Sequence, residues 1–169
     1  VFVSATGESV LARADNAGLT YNPFTKTMTT TNFAGTATTA LYADLAERYL
    51  ADAEYSPGTL LEFGGDQEVT RTATSHSVRI AGVVSTDPAY LMNSGLEGTF
   101  VTSVALTGRV PCSVVGTISK GDRLVASDIP GVATVMDTAR YQPGSIVGKA
   151  LEDYNSEDVG IITVVVGRL

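Results

Sequence analysis

The chain is poor in the residues from which most catalytic and metal sites are built. Its 169 residues contain one cysteine, Cys112, one histidine, His76, and no tryptophan. A single cysteine excludes an intrachain disulfide and leaves the redox compartment open. A single histidine with no cysteine spaced beside it offers no zinc ligand set. No metal site and no cofactor is therefore expected. Positive charge is also scarce, with 11 Lys and Arg against 18 Asp and Glu, a net charge of −7. Such a chain is a poor candidate for wrapping a phosphate backbone or lying on an anionic bilayer, so neither nucleic acid nor membrane is an expected partner. No apolar run approaches the roughly 20 residues of a membrane-spanning helix. The start, Val1-Phe2-Val3-Ser4, lacks the charged region and apolar core of a signal peptide and has no initiator Met. It reads as a fragment or processed product of something longer.

What the chain does contain is Thr, Val and Ser, cut by 17 glycines and 6 prolines. β-branched residues punctuated by turn formers predict short strands and tight turns. Val1, Val3, Val10 and Leu11 suggest one or two short strands. Leu19-Thr20-Tyr21, then Asn22-Pro23, then Thr27-Met28-Thr29 predict a β-hairpin. Its strands are too polar to support themselves, and an isolated hairpin in water is marginal. Further copies of the same arm would relieve this, giving an intertwined trimeric β-stalk over residues 1–40.

Residues 41–50 read differently. Leu41, Leu45 and Tyr49 recur at a spacing of four, with Ala43 and Ala46 beside them, and predict one short helix. Three such helices could bundle through Leu41, Leu45 and Tyr49 where the arm meets the globular part. From 51 to 169, turn signals come at short intervals: Pro57-Gly58, Gly64-Gly65-Asp66, Asp87-Pro88, Lys120-Gly121-Asp122 and Pro130-Gly131. They predict a compact antiparallel β-barrel or sandwich. Pro111 marks an edge position or bulge. Residues 89–93 are expected to form a helical turn. Residues 146–151 and 160–167 are expected to form an apolar hairpin with 152–158 as its acidic loop. The overall expectation is mainly β: an extended arm, one short helix, then a barrel or sandwich, as a homotrimer.

Six segments also resemble a known set: 42–47 (YADLAE), 57–59 (PGT), 80–88 (IAGVVSTDP), 106–111 (LTGRVP), 120–125 (KGDRLV) and 146–152 (IVGKALE). In this order they resemble the C-terminal domain of bacteriophage tail-fibre, tailspike and neck-appendage proteins, in the version carried by structural proteins of cyanobacterial phages. In tailspikes this domain is an intramolecular chaperone with autoproteolytic cleavage, the G2 peptidase family. The resemblance covers roughly 41–169. It implies a virion location, a homotrimer whose C-terminal domain sets the register of the stalk, and contacts with other tail or fibre proteins. It also implies a candidate acidic pair, Asp44 and Glu47, with Ala43–Asp44 as the bond cut. Ala before the Asp and Arg48 after the Glu depart from the tailspike pattern.

Two carboxylates can hydrolyse an amide when one serves as base and the other as acid. At a helical spacing of three, Asp44 and Glu47 share a face. The alternative is an exposed Asp44–Arg48 ion pair of little worth. Elsewhere the structural readings are preferred: His76 as a loop residue, Cys112 as a small buried group, Asp122 as a turn former, and the carboxylates of 152–158 as a solvated loop. The tyrosines at 42, 49, 55, 90, 141 and 154 are too scattered to define a sugar-binding surface. A third function, recognition of a host surface glycan at a fibre tip, would fall to loops 87–98 and 137–145.

Overall fold

The computed structural model describes residues 2–3, 9–10, 19–22, 24–25, 27–30 and 43–167. The chain divides into two units, residues 1–39 and 40–169. In the first, β1 (Phe2–Val3) pairs antiparallel with β2 (Ser9–Val10), and β3 (Leu19–Asn22) with β4 (Thr27–Thr30). The hairpin read from Asn22-Pro23 is therefore present, in register Asn22↔Thr27 to Leu19↔Thr30. Each of these sheets has two strands, and among the described residues no third strand joins either.

The second unit is organised on one long strand. Its strands are β5 (Asp44–Leu50), β6 (Leu60–Phe63), β7 (Val69–Arg71), β8 (Ile80–Val84), β9 (Tyr90–Met92), β10 (Val101–Ile118), β11 (Arg123–Ala126), β12 (Ala133–Val135), β13 (Gly148–Ala150) and β14 (Tyr154–Val166). Strand β10 has 18 residues. Its C-terminal half pairs with β14, which continues through β13 and β11 to β12. β12 then meets β10 again at Val114↔Ala133, so the sheet closes into a barrel. The N-terminal half of β10 leaves the barrel and pairs with β5 and with β8, beyond which lie β6 and β7.

Alternation along the strands places the core. Val110, Cys112, Val114 and Ile118 of β10 face Ile162, Val164 and Val166 of β14 inside the barrel. Where β10, β8 and β6 run together the sheet is buried on both faces. Ala105, Val83 and Leu60 belong to the barrel core, and their neighbours Val104, Val84 and Leu61 to a second cluster with Ala51 and Val69. Neighbouring strand residues point to opposite faces, so two adjacent apolar residues on each strand signify a two-sided core.

The helix expected over 41–50 is not formed: Asp44–Leu50 is a strand. Among the described residues the sole helical element is a 3₁₀ turn, Thr138–Arg140. β5 is flanked on both edges, antiparallel to β10 and parallel to β9. Both sets of backbone groups are thereby satisfied, and this outweighs the helical preference of Ala, Leu, Glu and Arg. Within 89–93, Tyr90–Met92 likewise forms strand β9 instead of a helical turn. The acidic segment 152–158 is shorter as a loop than expected, because β14 already begins at Tyr154 and pairs with β10. Lys120-Gly121-Asp122 does turn the chain, but toward β13 through Gly121 N–H to Ala150 O, not into a β10–β11 hairpin.

Pro111 sits where the edge rule places it. Arg109 N–H donates to Ala43 O and Ser113 N–H to Gly58 O, so the position between them faces the gap separating those partners. A residue without an N–H loses nothing there. His76 fastens the 74–77 bend to the barrel. Its N–H donates to Ala126 O (2.9 Å), and Asp137 N–H donates to its Nε2 (3.3 Å), which leaves the ring proton on Nδ1 beside Ser75 Oγ. Burial first, and then the Arg140 charge, lower its pKa below the usual histidine value.

Two outcomes follow from these contacts. A Cβ at Gly82 would lie 2.4 Å from Ala105 O, and φ there is +151°. Gly82→Ala is expected to cost about 2–4 kcal/mol in urea unfolding, from overpacking and backbone strain together. For His76 the unfolded chain binds a proton more readily than the native one. Stability is therefore complete above the ordinary histidine pKa and falls as pH drops below it. Melting temperature should decline between pH 7.5 and 5.5, and more steeply in the native sequence than in His76→Gln.

Candidate functional site

The predicted acidic pair lies at the start of β5, where Ala43–Asp44 rests directly on β10. Gly108 makes this approach possible. With φ at +109°, a Cβ there would sit 2.2 Å from Ala43 O and 2.7 Å from Asp44 Cα. Arg109 N–H donates to Ala43 O at 3.1 Å, and Ala89 N–H to Asp44 O at 2.8 Å. Ala43 itself is exposed. The Asp44 side chain is buried at 6 % exposure, and its Oδ2 has no hydrogen-bond partner among the described residues. A buried carboxylate oxygen without a donor is costly, and such orphans concentrate at functional positions.

Glu47 does not join it. In a strand, residues three apart point to opposite faces. Glu47 Oε2 instead accepts a hydrogen bond from Tyr49 OH at 2.8 Å. Burial, and then that bond, push the Tyr49 phenol up to about 12, so it stays a donor. The Asp44–Arg48 ion pair is not formed either. Four strand residues span about 13 Å, and Arg48 reaches Ser94 O. Of the expected interface residues, Leu41 lies outside the described residues, as does Tyr42. Leu45 and Tyr49 share a strand face and are half-buried. The Tyr49 ring packs edge-on against Phe63 at 5.7 Å.

The other candidates are structural in their contacts. Cys112 is fully buried, and burial pushes its thiol up to about 12, too high for a nucleophile. Asp122 Oδ2 accepts from Ser119 N–H at 2.8 Å and so closes its own turn. Asp153 accepts from Lys120 N–H, and Glu152 from both N–H and Oγ1 of Thr163. Among the described residues no three His, Cys, Asp or Glu side chains converge as metal ligands would. Tyr90 and Tyr141 are exposed, whereas Tyr55 and Tyr154 donate to Asp52 and to Asp158 O.

Two features escaped the sequence reading. Glu62 is buried at 3 % exposure between Arg79 (2.7 Å) and Ser77 Oγ, forming the one ion pair among the described residues. Alternation offers no hint of it, because Glu62 sits within an apolar strand. The second is a cleft of about 320 Å³ walled by Asp52, Asp66, Glu97 and Phe100. The Tyr55 hydroxyl holds the Asp52 carboxyl below its usual range. These residues come from three separate turns, so no local motif announces the cleft.

No protein-family model matches the chain, and no curated protein matches it. Among solved structures it is similar to the pre-mature gene product 12 of bacteriophage phi29, with a TM-score of 0.54 and 13 % identity. That match covers 89 % of this chain and 24 % of the phage protein, so the chain spans about a quarter of that protein's length. The N base of the phi29 head fiber gp8.5 gives a TM-score of 0.38 at 18 % identity, over 76 % of this chain and 93 % of that one. The fold of this chain is therefore shared with a bacteriophage protein.

Proposed function

We propose that this chain is part of a virion fibre or appendage, whose C-terminal domain drives trimerisation and sets the register of a β-stalk. One observation carries the reading: the fold likeness to phi29 gene product 12, spread over 89 % of the chain. Two further features support it. The first unit consists of two-stranded sheets with no third strand of their own among the described residues, an arrangement that is marginal in isolation. The second unit has a large closed core that can fold first and hold three arms in line. Residues 1–40 then act as the stalk arm and 51–169 as the assembly domain. At the junction, Leu45 keeps a half-buried apolar side chain to offer a neighbouring copy, alongside Leu41 and Tyr49. The remaining partners are other virion proteins. A host surface glycan would be met by loops 87–98 and 137–145.

A second reading is favoured by the Asp44 orphan oxygen. In it, the domain cuts its own chain at Ala43–Asp44. The Asp44 carboxylate would accept a proton from an attacking water and pass it to the Asp44 amide nitrogen as the bond from the Ala43 carbonyl carbon breaks, and the Arg109 N–H on Ala43 O would stabilise the oxyanion that develops in between. Glu47, on the other strand face, takes no part, so the mechanism rests on one carboxylate.

Light scattering of the full chain is expected to give three times the chain mass, and Leu45→Asp to give monomers or aggregates. A monomeric native chain contradicts the assembly reading. On denaturing gels, self-cleavage predicts two pieces, residues 1–43 and 44–169, and an intact chain in Asp44→Asn. A single intact band from mature native particles removes the second reading and leaves the first.

A further inference from the structure

The barrel exterior carries a row of cations that the net charge conceals. Arg123 of β11 pairs in register with Lys149 of β13, Lys149 with Val165 of β14, and Val165 with Arg109 of β10. Their neighbours along the strands, Leu124, Ala150, Val164 and Val110, are core residues, so these four side chains point outward. Four adjacent strands space the row over about 14 Å. None of its three cations forms an ion pair among the described residues. The nearby carboxylates Asp122, Asp153 and Glu152 accept hydrogen bonds from Ser119 N–H, Lys120 N–H and Thr163 instead of pairing with the row; they keep their charge, so the positive excess is local to the row.

The same face is apolar as well as basic. Ile161 is 63 % exposed, four residues before Val165 on β14, and Pro111 lies two residues beyond Arg109 on β10. Cations on the same face as an exposed apolar side chain match the pattern of a protein interface: an apolar centre with a polar rim. A polyanion alone would have no use for Ile161. The complement is present on the same unit. Asp52, Asp66 and Glu97 wall the cleft of about 320 Å³, from which the Phe100 ring emerges 41 % exposed. One chain thus holds a basic row beside an apolar patch, and an acidic cleft around an exposed ring.

Threefold rings need two such surfaces. A cyclic trimer uses a heterologous contact, in which one patch of each copy meets a different patch of the next. From this charge complementarity we infer that the partner of the basic row is a second copy of this chain, docked by its acidic cleft. This rests on the trimeric reading and assigns the surfaces that build it. Lys149 and Arg123 face Asp66 and Glu97 of the next copy, and Phe100 of that copy covers the apolar stretch around Ile161.

Charge exchange on the full chain tests this, because all four residues can be reversed at the surface. By light scattering at moderate salt, Arg123→Glu with Lys149→Glu should reduce the particle from three copies to one. Asp66→Lys with Glu97→Lys should do the same, both with native circular dichroism. All four substitutions together restore opposite charge across the contact and should return the threefold mass. A trimer that survives either pair, or a fourfold variant that stays monomeric, overturns the assignment while leaving the trimer intact. A monomeric native chain overturns the trimeric reading itself.

Discussion

Satisfying the backbone on both edges of one 18-residue strand is the constraint from which the rest of this structure follows. Every N–H and C=O taken from water must find a partner. β10 meets this demand with four strands drawn from both ends of the second unit: β5 and β8 along its first half, β14 and β12 along its second. Its one residue without an N–H, Pro111, lies in the gap between Ala43 and Gly58, whose carbonyls accept from Arg109 and Ser113 on either side. The barrel closes because β14 and β12 both return to this strand. The extra sheet forms because β10 outlasts the barrel.

Paired burial follows from that geometry. Strand β10 separates a barrel core from a smaller cluster, so adjacent residues such as Val104 and Ala105 are both fully buried. Bulk must then be excluded where strands cross closely, and this is where Gly82 and Gly108 stand. Gly108 has a second consequence. By letting Ala43–Asp44 lie flat against β10, it carries a carboxylate into the interior next to the exposed residue Ala43. The same close packing therefore supports the fold and leaves a buried carboxylate oxygen without a partner among the described residues.

Charge is distributed by register, not by local sequence. Arg109, Lys149 and Arg123 are separated along the chain by up to 40 residues, yet the ladder aligns them on one outward row. The acidic cleft is assembled in the same manner from the ends of separate strands. An acidic chain can thus carry both a row of cations and an acidic cleft that its net charge does not reveal. Both belong to the second unit.

Much of this was legible from residue order alone. The β class, the 19–30 hairpin, the edge position of Pro111 and the turns at Gly58, Gly121 and Gly131 each rest on local chemistry that a single sequence states plainly. The segment at 44–50 did not, for a definite reason. A spacing of four, as in Leu45 and Tyr49, places side chains on one face in a helix and in a strand alike, so periodicity could not separate the two. Residue preference favoured the helix, and only the two flanking strands reversed it. With that reversal Asp44 and Glu47 parted to opposite faces, and Asp44 became buried. Local sequence decides turns and alternation because these depend on neighbouring residues. Which strands pair, and so which charges meet, depends on hydrogen bonds between segments tens of residues apart, and these exist only in the folded chain.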